Sequence, residues 1–279
     1  MTRQSAFRLT CSSGMFTQLQ LKPRFMLSVA FIGWSGWLAE HAVSHARLIQ
    51  HYRTGFVPIG FVVTYVEPLT FFDSAALTIR TRVATWNPRR FHTFQEINTD
   101  VYADDGRHVA MVYLQEVCVR IESDQTLAAL PGRVSDELAP MILDSDREGA
   151  PVPRLLNRPR REPAAGWEPL GEHRHDFVVY RHACEVADQW YSEHVPDYIG
   201  ASREAMVLTQ LPRRPGLLPG VANRMESITI GLRQPFAFFD SGQVSTRAFR
   251  RGDEVIFTHD LLTAAGTSAG DAVEVFTSS

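Results

Sequence analysis

Pro68-Leu69-Thr70-Phe71-Phe72-Asp73-Ser74 returns later in the chain as Pro235-Phe236-Ala237-Phe238-Phe239-Asp240-Ser241. Five of the seven positions are identical, and each copy is followed by an alternating stretch that carries arginines. The copies stand much farther apart than the roughly 20–50 residue periods of solenoids and propellers, so each belongs to a whole small domain. The reading is one fold written twice: a first unit over 1–125, a connector over 126–172 and a second unit over 173–279. Between two strands the repeated heptapeptide reads as a structural turn. Proline opens it, Asp and Ser side chains satisfy its amides, and the aromatic pair plugs the end of a sheet.

With 279 residues and 44% hydrophobic content, the chain has the composition of a globular protein with one large core or two ordinary ones. Its net charge of −3 and pI near 6.4 supply no basic field, so a nucleic-acid backbone is not the expected partner. Three cysteines, Cys11, Cys118 and Cys184, show no CxxC spacing, which argues against a disulfide framework and a structural zinc site and fits a reducing cytoplasm. The apolar run from Phe25 to Ala39 follows Lys22 and Arg24 and invites comparison with a signal peptide. It is too short to span a bilayer and runs directly into a polar helix, so a membrane is not an expected partner either.

Ser35 to Tyr52 has apolar residues recurring at three and four, which predicts a helix with Ser35 as its N-cap and Gly55 and Pro58 as its stop. Strands follow over 61–67, 76–86, 91–102 and 108–121, the last two joined at the hairpin signal Asp104-Asp105-Gly106. The proline-rich stretch 122–172, with Arg154, Arg158, Arg160 and Arg161, reads as a crossover connector whose arginines are solvated or pair with phosphates. In the second unit, 176–188 is extended and Tyr191 to Thr209 carries a helix interrupted or begun at Pro196. Strands are then expected at 224–233, 243–249, 254–263 and from 271 onward.

One helix followed by a meander of long antiparallel strands resembles the hot-dog superfamily of acyl-thioester enzymes. The fold class implied is α+β, two tandem hot-dog units, each an antiparallel sheet wrapped around a central helix. The segment Gly33-Trp34-Ser35-Gly36-Trp37-Leu38-Ala39-Glu40 resembles the Gly-rich entry and Leu-Ala-acid signature of phenylacetyl-CoA-type thioesterases. That resemblance implies Glu40 as the catalytic carboxylate and Gly33 and Ser35 at the carbonyl-binding helix start, where free N–H groups and the helix dipole favour an oxyanion. Ser44, one turn after Glu40, would share its face and hold water. Phe31 stands where that family carries His, Asn or Gln. Glu40 can equally be a solvated helix residue beside Arg47 or His41.

Ala187-Asp188-Gln189-Trp190 followed by His194-Val195 resembles the Asp…His-Val run of 4-hydroxybenzoyl-CoA-type thioesterases, with an insertion between Trp190 and His194. It implies Asp188 as nucleophile or base and His194 beside it; the same pair is similar to that of hot-dog hydratases. The alternative is a helix cap at Asp188 and a surface imidazole at His194. A fainter resemblance, through Gly33-Trp34-Ser35, Trp37-Leu38, Glu40 and His45, is to the leinamycin-pathway family, whose acyltransferase/decarboxylase works through a tyrosine; Tyr52, Tyr191 and Tyr198 are the candidates, Tyr198 also as a substrate contact. His41 and His45 stand four apart, but no third ligand is in reach by sequence, so no metal is assigned.

The expectation is a cytoplasmic thioesterase acting on acyl-CoA or an acyl carrier protein, with coenzyme A or phosphopantetheine entering as part of the substrate and no separate cofactor. Acyl transfer with decarboxylation, enoyl-thioester hydration or dehydration, and a non-catalytic carrier-binding module remain open. So does a homodimer.

Overall fold

In the computed structural model, residues 3–89, 92–123, 129–151, 166–185 and 189–277 are described. Eleven strands among them form one antiparallel sheet. The first unit contributes β1 (Gln4–Thr10), β2 (Thr54–Tyr65), β3 (Ala76–Arg89), β4 (His92–Ala103) and β5 (His108–Ile121). A short β6 (Ala129–Pro131) pairs with β5. The second unit contributes β7 (Glu168–Val178), β8 (Met225–Leu232), β9 (Ser241–Arg251), β10 (Glu254–Thr263) and β11 (Ser268–Thr277). Their order is β1-β3-β4-β5-β2-β8-β11-β10-β9-β7, a palindrome of two five-stranded halves meeting at the β2–β8 pair.

The register at that seam records the duplication. Val62 faces Thr229, and these two lie 167 residues apart, as do Pro68 and Pro235 in the repeated turn. A local two-fold axis therefore runs through the seam. In both turns the aspartate closes an Asx-type loop: Asp73 Oδ2 accepts from the Thr70 amide at 2.6 Å and Asp240 Oδ2 from the Ala237 amide at 2.7 Å. The plug, however, is not the aromatic pair. Leu69 and Phe236 occupy the buried position, whereas Phe72 is 91% and Phe239 64% exposed.

Each half wraps its strands around one helix, α1 (Pro23–His41) and α4 (Val195–Gln210), each followed by a short helical piece, α2 (His45–Gln50) and α5 (Pro219–Ala222). Helix α1 begins twelve residues earlier than its periodicity indicates. Pro23 sits in its first turn, where a missing N–H costs nothing, and Lys22 caps it without a side-chain hydrogen bond, so no polar cap marks the start. The run Phe25–Ala39 is the central helix of the first half, with Met26, Leu27, Val29, Ala30, Phe31, Trp34, Trp37 and Leu38 buried. No helix among the described residues is long and apolar enough to cross a membrane.

The connector is more than a tether. Within 129–151, α3 (Ala139–Ile142) and the residues around it pack on the first half. Leu138 and Ile142 are buried, Asp144 N–H donates to Thr85 O at 2.7 Å, and Trp86 Nε1 donates to Ala150 O at 2.9 Å. The arginines at 154, 158, 160 and 161 lie outside the described residues.

Candidate active site

The row of side chains that β3, β4 and β5 present to α1 is apolar along most of its length and polar at two levels, one at Thr81 and Thr99 and a second farther along. Thr85, Gln95 and Glu116 stand side by side there, since Thr85 pairs with Gln95 and Gln95 with Glu116. Gln95 Nε2 donates to Thr85 Oγ1 at 2.7 Å, and its Oε1 accepts from the Trp34 indole. Glu116 receives no such help. It is 1% exposed, and its Oε2 is buried without a hydrogen-bond partner. On its other side β2 offers Pro58, which has no N–H, and the ladder bulges between Pro58 and Gly60. Burial pushes the Glu116 carboxyl up to about 8, because ionisation would place a charge in an apolar interior.

The second half completes the surroundings. Tyr191, just before a 3-10 turn over Ser192–His194 that leads into α4, packs its ring on Phe31 with centroids 5.4 Å apart. Its hydroxyl is held well above the ordinary phenol range, first by burial and then by the charges of Glu193, Glu185 and Glu116. Glu185 is reached by solvent yet hemmed in closely enough that its carboxyl is also pushed up by loss of hydration. Glu116, Glu185 and Glu193 thus lie within electrostatic reach of Tyr191, whose ring contacts Phe31 across the two halves.

The first turns of α1 make polar contacts with the start of α4 and with the 3-10 turn before it. Arg24 donates to Asp197 Oδ2 at 3.0 Å, and Ser28 Oγ donates to Glu193 Oε2 at 2.7 Å. Arg24 Nη2 also lies 3.1 Å from His194 Nε2. A guanidinium can only donate, so His194 Nε2 accepts and the ring proton of the neutral imidazole sits on Nδ1. Burial and the Arg24 charge lower the proton affinity of His194, so this tautomer persists at neutral pH.

The residues expected from sequence are dispersed. Gly33 and Ser35 lie inside α1, not at its start, so their amides are bound within the helix and cannot form an oxyanion hole. Gly33 has a packing role instead: a Cβ there would stand 2.1 Å from Thr81 Oγ1, so only glycine lets α1 approach β3 this closely. Glu40 is in the last turn of α1 with its side chain 57% exposed, 3.8 Å from His41. Ser44 does not share its face, because α1 ends at His41. Ser44 caps α2, accepting from the Arg47 amide at 3.3 Å. His45 therefore belongs to a different helix from His41 and packs edge-on against Trp34 at 4.7 Å. Among the described residues no group of three His, Cys, Asp or Glu side chains could hold a metal ion. Tyr198 is half-buried among Phe177 and Trp190, with centroids at 4.6 and 5.8 Å. Asp188 lies outside the described residues. Of the residues named from sequence, His194 and Tyr191 stand where the two halves meet, and the acceptor nitrogen of His194 is engaged by Arg24.

Glu116, Arg24, Ser28 and Glu193 were not among the site residues expected from sequence. Glu116 did leave a signal: the inward positions of β5 run Ala110, Val112, Leu114, Glu116, Cys118, and a carboxylate in such a series is a mismatch that calls for a partner or a purpose.

The architecture is that of the hot-dog fold, two units in one chain. No protein-family model matches this sequence, and no curated protein does. Solved structures do. A protein from Lactobacillus plantarum assigned as an oleoyl thioesterase superposes with a TM-score of 0.71 at 10% identity, over 100% of this chain and 98% of that one. The 12:0-ACP thioesterase from Umbellularia californica gives 0.69 at 8% identity, over 98% and 93%. An acyl-ACP thioesterase from Bacteroides thetaiotaomicron gives 0.62 at 11% identity, over 98% and 97%.

Proposed function

We propose that this protein is an acyl-thioester hydrolase whose general base is Glu116 and whose carbonyl-polarising donor is Tyr191. The observation that carries the reading is the buried Glu116 carboxyl, one oxygen of which has no hydrogen-bond partner, held to about 8 and near enough to Tyr191 of the other half for its charge to act on that phenol. An enzyme acting near neutral pH gains from a base whose pKa lies close to the working range, and burial among apolar groups is how a carboxylate reaches it. The names of the three structural neighbours point the same way.

The chemistry follows from the two groups. Ionised Glu116 takes a proton from water as the water oxygen attacks the thioester carbonyl carbon. Tyr191, kept as a neutral phenol, donates its O–H to the carbonyl oxygen as charge develops there. When the C–S bond breaks, Glu116 returns the proton to the departing thiolate. The raised Tyr191 phenol argues against a tyrosinate nucleophile and hence against acyl transfer through this residue.

Glu116→Gln removes the base and preserves the volume. Hydrolysis of acyl thioesters should fall by about 10²–10⁴ in kcat/KM, the usual contribution of a positioned acid or base. Tyr191→Phe should lower kcat by about 10²–10³ with little change in KM. Free acid and thiol released by wild type at rates that Glu116→Gln leaves intact would sink the assignment of the base. Hydration of an enoyl thioester with its C–S bond retained would replace hydrolysis by the dehydratase reading.

A further inference from the structure

The two copies of the Phe-Phe-Asp-Ser turn differ in conformation and in what faces them. Phe239 has φ +68°, in the left-handed region that a bulky side chain seldom adopts, whereas its counterpart Phe72 does not. Strand β9 follows the second turn at once, at Ser241, whereas β3 begins at Ala76, two residues past the matching Ser74. The strained residue is pinned: its amide donates to Val179 O at 2.8 Å, and the next residue's carbonyl accepts from Val179 N–H at 3.0 Å. Backbone strain that neighbours hold in place is a mark of functional surfaces.

The result is a shelf. Phe239, 64% exposed, stacks on Phe238 with centroids 3.9 Å apart and planes at 26°. Arg181 lies over the Phe238 ring at 4.3 Å, and Tyr180, 52% exposed, stands parallel to His182 at 6.2 Å. In the first half the 3-10 turn after the leading strand has Ser12-Ser13-Gly14 where the second half has Tyr180-Arg181-His182, and Phe71 and Phe72 meet edge-to-face instead of stacking. Duplication supplied the turn twice, and only in the second copy does a guanidinium lie over a stacked pair of phenylalanine rings. His182 of the shelf lies within electrostatic reach of His194.

We infer that the shelf of Tyr180, Arg181, His182, Phe238 and Phe239 binds the nucleotide end of coenzyme A, with the adenine stacked on the open face of Phe239 and a phosphate held by Arg181. Bases stack on exposed aromatics, and guanidinium groups pair with phosphate oxygens in a geometry that a lone cation does not match. A carrier protein presents phosphopantetheine without a base, so it would leave the rings uncovered. That the nucleotide carries an acyl thioester to Glu116 rests on the hydrolase reading; the binding does not.

The test compares coenzyme A with pantetheine by calorimetry, on wild type and on two variants. Phe239→Gly removes the ring at a position whose φ suits glycine, so the fold should be kept or stabilised. Arg181→Gln removes the cation. Wild type should bind coenzyme A at least about tenfold more tightly than pantetheine, and either variant should lose most of that preference, the usual size of one lost base-stacking contact. Equal binding of the two ligands by wild type, or unchanged coenzyme A binding by both variants, would overturn the shelf. Turnover of an acyl-N-acetylcysteamine thioester separates the two readings. A protein that shows the shelf behaviour yet never cleaves the truncated thioester refutes the hydrolase and keeps the shelf. One that cleaves it equally in all three forms while the coenzyme A preference is absent refutes the shelf and keeps the hydrolase.

Discussion

Glu116 is costly for this fold, and the cost depends on pH in a definite sense. Its carboxyl titrates at about 8 in the folded chain against 4.5 for an exposed glutamate, so the folded state holds the proton more tightly than the unfolded state. Below pH 4.5 both states are protonated and nothing is lost. Between 4.5 and 8 the unfolded chain sheds a proton that the folded chain keeps, and stability falls as pH rises; above 8 the loss is complete. A shift of this size corresponds to about 5 kcal/mol at most, on the order of 1.4 kcal/mol per pH unit. Glu116→Gln should therefore flatten the descent, and chemical denaturation at pH 5 and pH 9 measures it. A wild-type profile as flat as that of the variant would mean that Glu116 is not held protonated. Catalysis runs in the opposite direction, since the base works only when ionised, so hydrolysis should climb with pH toward a plateau above 8.

At the scale of elements, the central helices are seated differently on matching strands. Helix α1 closes on β3 through Gly33 against Thr81, while α4 meets β9 through Ser202, whose hydroxyl lies 2.7 Å from Thr246 Oγ1. Gly33→Ala should push α1 off β3 and cost about 1–3 kcal/mol despite the better helix propensity of alanine, and Thr81→Ala should recover part of the loss. Thermal melts of the single and double variants decide it; an unchanged Gly33→Ala midpoint would disprove the close approach. Under α4 the Ser202–Thr246 contact continues into a buried chain. Thr246 Oγ1 lies 2.9 Å from His259 Nδ1, His259 Nε2 lies 3.1 Å from Glu274, and Arg203 on the helix pairs with the same carboxylate. Glu274 stays ionised although burial opposes it, chiefly because of the Arg203 charge, with His259 adding to it. Arg203→Met would leave that carboxylate without its main counter-charge and should destabilise by about 3–5 kcal/mol. Exchanging Arg203 and Glu274 together for apolar residues should cost much less, because the pair has to offset its own desolvation.

For the whole molecule, the β2–β8 pair matters most. It turns two five-stranded sheets into one, and the cross-helix contacts of Arg24 with Asp197 and Ser28 with Glu193 tie the halves together on the helical side. Neither half buries its own seam strand or its own helix N-terminus without the other. The chain should therefore unfold in one cooperative step, with calorimetric and van't Hoff enthalpies in agreement. Two resolved transitions would show that the halves are thermodynamically independent. The candidate site belongs to the same scale, since its base comes from the first half and its tyrosine from the second.

The sequence by itself determined the duplication, the β3–β4–β5 meander and the aspartate that closes each repeated turn, because these depend on short-range pattern: alternation along a strand, Asp closing a loop, Asp-Asp-Gly at a hairpin. It did not give β1, nor the pairing of β2 with β5 and β8 in place of β3, which long-range contacts decide. The meander over 76–86, 91–102 and 108–121 became β3, β4 and β5, and the helix expected from Tyr191 became α4. The start of α1 was not legible. Over most of α1 even the exposed positions, Ile32, Gly36 and Ala39, carry no polar side chain, so there is no polar face to give the run a period, and its first turn carries proline in place of a polar cap. Nor was the site. Ser28, Phe31, Glu116, Glu185 and Tyr191 meet only because the seam register and the local two-fold axis lay the second half against the first. Which carboxylates lie in water, as Glu40 does, and which lose it, as Glu116 does, is a property of packing, and tertiary structure alone decides it.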